Sequence, residues 1–206
     1  MSINKSDKPR RRRRTPEEAR REAVASARKL LLSGGPDAMT LSAVAGDIGV
    51  THANLIHHFG SAAGLQSALM GSMVSDLKDA LEAAIVRMKT DESAPLELVN
   101  AVFDAFAEGG AGRLAAWIAL SGDMSHLEPV RQAVQDLVAA VQDKIGDPSE
   151  AAQKRIGSGV LFIAMSAFGD ALIGPPMRDM LGKGEDGTRK VVAHMLPSLF
   201  ENTNKA

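Results

Sequence analysis

Cysteine is missing from this chain, which rules out disulfides and thiolate metal sites within it. Aromatic residues make up only 3% of it and β-branched residues are scarce, while alanine, leucine and methionine are plentiful. That balance favours helices over strands throughout. No uninterrupted apolar run reaches the roughly 18 residues needed to span a bilayer, so no membrane partner is expected. The basic N-terminal segment has no apolar stretch behind it and does not read as a secretory signal, which makes a cytoplasmic location the expectation. Signatures of catalysis are missing too. There is no nucleophile elbow, no phosphate-cradling Gly-rich loop between a strand and a helix, and no paired His/carboxylate motif for a metal. Gly109-Gly110-Ala111-Gly112 joins two helical stretches and reads as a plain connector. Neither an enzyme nor a cofactor is expected.

What is present is unevenly distributed. The 206 residues carry a formal net charge of −1, yet residues 1–60 hold 11 Lys and Arg against 6 Asp and Glu, a net +5. The remainder holds 13 against 19, a net −6. A polyanion is thus attracted to one end and repelled by the other. Arg10, Arg11, Arg12, Arg13 and Arg14 form an unbroken run within residues 1–14, a disordered basic segment with two readings. It is a solvated tail, or an arm laid on phosphates or in a minor groove.

Thr15-Pro16-Glu17-Glu18 is a helix start, with Thr as N-cap, Pro at the first position and acids in the first turn. Ala23, Val24, Ala27, Leu30 and Leu31 mark its buried side, and Ser33-Gly34-Gly35-Pro36 stops it. A second helix capped near Thr40 ends near Asp47, and a third capped by Thr51 reads through His58. Val44 and Ile48 share a face, with Leu41 one turn earlier. Ala45 is small where two helices would cross, Gly49 falls at the turn, and Val50 and Leu55 close the little core. These features describe a helix-turn-helix, whose second helix enters the DNA major groove.

A fourth helix from about Ser61 toward Lys89 carries Leu65, Leu69, Met73, Leu77, Leu81 and Ile85 at steps of four. Five more are expected near 95–108, 113–124, 127–145, 149–173 and 186–202, with Gly174-Pro175-Pro176 as a helix stop. The expected fold is all-α with about nine helices. It divides into a basic arm at 1–14, a helix-turn-helix domain at 15–60 and a larger helical body at 61–206.

The stretch Thr40 to Ser61, with its threonine-led helix, Gly-Val turn and helix ending His-Phe, resembles the TetR family of bacterial transcriptional regulators. The resemblance covers roughly residues 15–70; for the body only length and helical character match. It implies a DNA-binding regulator, most simply a homodimeric repressor on a palindromic double-stranded operator, dimerised through its last two helices. A small-molecule effector of unidentified structure would release it. An effector-independent regulator or an activator with a filled body is the alternative. Two positions depart from the family: Ile56 stands where tyrosine is usual, and Ala62 where lysine often is. Both remove phosphate contacts, which the Arg10–Arg14 run can supply instead.

On the recognition helix His52, Ala53 and Asn54 are expected to approach base edges, Asn as a bidentate partner of adenine and Ala against a thymine methyl. His57 reaches a phosphate or a purine edge, and His58 buttresses the helix or meets a phosphate. Thr40 and Thr51 offer amides and hydroxyls to phosphates. Adjacent His57 and His58 point about 100° apart on a helix and chelate poorly, so no metal is expected. In the body Phe103, Phe106, Trp117, Met124, Phe162, Met165 and Phe168 are either core or the lining of a cavity for an apolar ligand.

Overall fold

The computed structural model describes residues 15–87, 90–122 and 127–200. Among these residues the chain is all-helical: α1 Pro16–Gly34, α2 Leu41–Ile48, α3 His52–Phe59, α4 Ala62–Arg87, α5 Ala94–Ala107, α6 Ala111–Ser121, α7 Glu128–Ile145, α8 Glu150–Met180 and α9 Gly187–Phe200, with a short 3-10 turn at Pro36–Ala38. The Arg10–Arg14 run and Met124 lie outside the described residues.

The N-terminal helices start where the side chains dictate. Thr15 accepts from the Glu18 backbone N–H at 3.1 Å, and the Glu18 carboxylate accepts from the Thr15 N–H at 2.8 Å. This is a reciprocal capping box behind Pro16. Thr40 and Thr51 cap α2 and α3 in the same sense, accepting from the Ala43 and Asn54 amides at 3.1 and 3.2 Å. Gly49 ends α2 in the left-handed region at φ 67°, a conformation that costs an L-residue about 1–2 kcal/mol. It lets the Val50 N–H return to the Ala45 carbonyl at 2.9 Å. Gly64 meets a different demand: a Cβ there would lie 1.9 Å from the Phe59 carbonyl oxygen, so α4 can leave the end of α3 only from glycine.

Packing is organised around two cores that share α4. The first gathers Ala27, Leu31, Val44, Leu55 and Phe59 from the three N-terminal helices with Leu65, Leu69 and Met73 of α4 and Leu114 and Ile118 of α6. The second gathers Leu81 and Ile85 of α4 with Val99 and Phe103 of α5, Val141 of α7, Ile156 and Ile163 of α8 and Leu196 of α9. The head is therefore seated on α4 and α6 rather than tethered by a linker. An Arg28–Asp76 ion pair at 2.6 Å adds a surface tie between α1 and α4.

The Gly174-Pro175-Pro176 stop does not occur: α8 runs through it to Met180. Each proline removes a backbone donor, orphaning the carbonyls of Ala171 and Leu172. Both prolines are exposed, and Leu172 is too, so water can take those carbonyls. Asp170 and Arg178 also form a largely buried ion pair that bridges the turns before and after the prolines. It passes over Gly174, where a Cβ would sit 2.6 Å from the Asp170 carboxylate and 2.7 Å from the Arg178 guanidinium. The same helix is long and apolar enough to cross a membrane by length and composition, with mean hydropathy 1.8 over its most apolar window. Counting unbroken runs missed it because Lys154, Arg155 and Asp170 interrupt the sequence. Only 22% of that window is buried, which leaves an apolar outer face on α8.

Ser26, on α1, is a buried polar residue with a use. Its hydroxyl donates to Asp47 Oδ2 at 2.8 Å while Lys29 Nζ donates to Oδ1 at 2.7 Å, joining α1 to the end of α2. The lysine first, then the serine, hold the Asp47 carboxyl below its ordinary range. A carboxyl depressed in the folded state stabilises above its unfolded pKa, about 3.9, and loses that contribution as pH falls through the folded value. Asp47→Asn should accordingly melt lower than wild type at neutral pH, and the difference should close below about pH 3.9. Thermal melts by circular dichroism across pH read this directly; a gap that persists undiminished in acid contradicts it.

Candidate DNA-binding face and body cavity

α3 is anchored from one side only. Leu55 and Phe59, four residues apart, are buried at 1% and 7% exposure, and this fixes which side chains the helix presents outward. His52, Ala53, Ile56 and His57 are exposed, with Asn54 and His58 half-buried. Thr40 and Thr51 stand exposed at the starts of α2 and α3, their hydroxyls already engaged as caps. The His57 and His58 rings meet edge to face with centroids 5.6 Å apart, a stacking geometry rather than a chelating one.

Arg20 was not legible as part of this face. From α1 its Nη1 donates to the His58 carbonyl at 2.8 Å, and its guanidinium lies 4.8 Å from the Phe59 ring centroid. A cation on the last carbonyls of a helix satisfies orphan acceptors and complements the helix dipole. Arg20 thus clamps the end of α3 that Phe59 anchors from below. Nothing in the local sequence pairs residues 38 positions apart. The only signal is an arginine within an otherwise ordinary polar face. Arg20→Ala should weaken DNA binding about fivefold, from the loss of a cation–π contact and one charge-assisted hydrogen bond at an exposed site. Because the residue positions α3 rather than a phosphate, the salt dependence of binding should keep its slope. A slope reduced by about one would instead make Arg20 a backbone contact.

The body contains a cavity of about 520 Å³ between α4, α5, α7 and α8, with Pro197 of α9 also on its lining. α4 contributes Val74, Leu77, Leu81 and Ile85; α7 contributes Val134, Leu137 and Val141; Leu98, Phe106, Val160 and Ile163 come from α5 and α8. Lys144 is the single polar side chain among the described lining residues. The volume falls within the range of small-molecule sites, and the lining is more uniformly apolar than is usual.

Residues 23–69, from the middle of α1 into α4, match the family model of bacterial regulatory proteins of the tetR family. The chain carries a TetR-family head. Its fold over nearly the full length is similar to two solved structures assigned as TetR-family transcriptional regulators. One, from Rhodococcus sp., is 13% identical with a TM-score of 0.60, over 90% of this chain and 100% of that one. The other, from Mesorhizobium loti, is 14% identical with a TM-score of 0.51, over 91% of this chain and 97% of that one. At such identities the likeness is one of fold. No curated protein matches the chain.

The residues singled out in the body separate. Phe106 lines the cavity. Phe103 is buried in the second core at 1% exposure, with the Arg189 guanidinium 5.4 Å from its ring centroid. Phe162 packs at the edge of that core, Phe168 is half-buried on α8, and Met165 is exposed on its outer side. Trp117 lines a surface cleft between head and body together with Thr40, His52 and Gln66. The cavity wall is instead built from valine and leucine, which periodicity marks only as core. Of the two departures from the TetR family, Ile56 is exposed on the outer side of α3 and Ala62 is exposed at the first position of α4.

Proposed function

We propose that this chain is a sequence-specific DNA-binding transcriptional regulator, a homodimeric repressor whose operator affinity falls when a small molecule occupies the body. The observation that carries the reading is α3: capped, anchored by Leu55 and Phe59, and free along His52, Ala53, Asn54 and His57. In this proposal His52, Ala53 and Asn54 read base edges, His57 and His58 reach a phosphate or a base, and Thr40, Thr51 and Arg10–Arg14 hold the backbone. One such helix spans too few base pairs for high specificity. A two-fold pair reads a palindrome with half-sites about 34–36 Å apart.

Dimerisation is supported by the outer face of α8 and α9, where Leu161, Met165 and Leu172 continue into Val191 and Met195, each 40–60% exposed. A second copy covering this face accounts for its apolar character without a bilayer, which fits a cytoplasmic protein. The cavity favours a ligand-responsive body over a filled one, and the TetR-family likeness favours a regulator over an enzyme. Footprinting with the purified chain on DNA flanking its own gene tests the reading. A protected, two-fold symmetric site is expected, and Asn54→Ala should reduce discrimination at one base pair per half-site by about 1–3 kcal/mol. Binding without sequence preference would dispose of it.

A further inference from the structure

The body cavity is elongated along two helices. Its lining runs from Met70 to Val86 along α4 and from Val130 to Ile145 along α7, lengths of about 24 and 22 Å at 1.5 Å per residue. Gly71, in the first half of α4, faces Pro129 at the start of α7, and from there the lining extends toward the C-terminal ends of both helices. A lining that runs this far along two helices suits an extended ligand rather than a compact one.

The wall chemistry narrows the ligand further. Among the described lining residues there is no hydroxyl, amide or carboxylate side chain, so polar groups along a ligand's length would find no side-chain partner in them. The exception sits at one end. Lys144, in the last turn of α7, is exposed and has no ion-pair partner among the described residues. Asp91 is engaged with Arg87 at 2.9 Å and Asp147, three residues after Lys144, with Arg155 at 3.2 Å. Asp143, next to Lys144, does not line the cavity.

We propose that the body binds a long-chain aliphatic carboxylate, its tail lying between α4 and α7 and its carboxylate at Lys144. This deepens the ligand-responsive reading and rests on it for its regulatory meaning. The far end of the cavity supplies that meaning, because Met70 belongs to the head's own core and Val130 packs against it. A tail that reaches Met70 touches the packing on which the DNA-binding head is seated. A short one does not.

The test is calorimetric titration of the full chain with octanoate, laurate, palmitate and uncharged hexadecanol, alongside operator binding and Trp117 emission. Affinity for the acids should rise about fourfold per methylene until the cavity is filled. Palmitate should bind about two- to fivefold more tightly than hexadecanol, and K144Q should erase that preference. L137W, which plugs the cavity, should abolish palmitate binding, and only chains long enough to reach Met70 should shift Trp117 emission. Equal binding of palmitate and hexadecanol to wild type and K144Q overturns the proposal, as does failure of every acid to bind. The underlying reading fails separately. If palmitate binds as expected and operator affinity does not change, the site stands and ligand release falls. If palmitate does not bind but another compound releases DNA, the site falls alone.

Discussion

Leu161→Glu combined with Met165→Glu should leave the protein folded, monomeric and weaker on its operator by about 100-fold or more, the avidity lost when two linked heads become independent. The two side chains are 60% and 58% exposed and lie one turn apart on α8. Neither contributes to the second core, which α8 meets through Ile156, Ile163 and Ala167 instead. The charges therefore cost little in the isolated chain. In an isologous contact each patch meets its own copy, so four glutamates would be desolvated together without partners. Sedimentation velocity reads the oligomeric state and fluorescence anisotropy on a footprinted site reads affinity. A double variant that stays dimeric would place the contact elsewhere, and one that is monomeric yet binds undiminished would remove the need for a dimer.

Phe59→Ala should cost about 3–5 kcal/mol and take DNA binding with it. The ring is 7% exposed in the first core, carries the Arg20 guanidinium on one side and stands at the last residue of α3. Removing it empties the space beneath the recognition helix, and the Arg20 clamp loses one of its two partners. Phe59→Leu keeps most of the volume but not the π face, so it should recover most of the stability and only part of the affinity. Urea unfolding of the pair separates volume from stacking. If the alanine variant lost less than about 1 kcal/mol, the site would be one that collapses freely, against the range for Phe→Ala in cores.

The head was legible because its determinants are local. Caps at Thr15, Thr40 and Thr51, the turn at Gly49 and the spacing of Val44, Leu55 and Phe59 are short-range facts, and the structure places each where sequence reading expects it. What escaped is non-local or depends on exposure. The Arg20–His58 contact and the Ser26–Asp47 bond span 38 and 21 residues. The passage of α8 through Pro175 and Pro176 depends on solvent-facing carbonyls and on an ion pair eight residues long. Aromatics are conspicuous in the sequence, yet Phe106 is the one aromatic among the described residues lining the cavity. The cavity is walled by valines and leucines whose helical spacing is identical for a filled core and an empty one.

Because α4 contributes Leu65, Leu69 and Met73 to one core and Leu81 and Ile85 to the other, neither half has a complete interior without it. The molecule is therefore one cooperative unit. Heating should give a single calorimetric transition, and limited proteolysis should yield no independently stable head fragment. Any substitution that loosens the middle of this helix is felt at both ends.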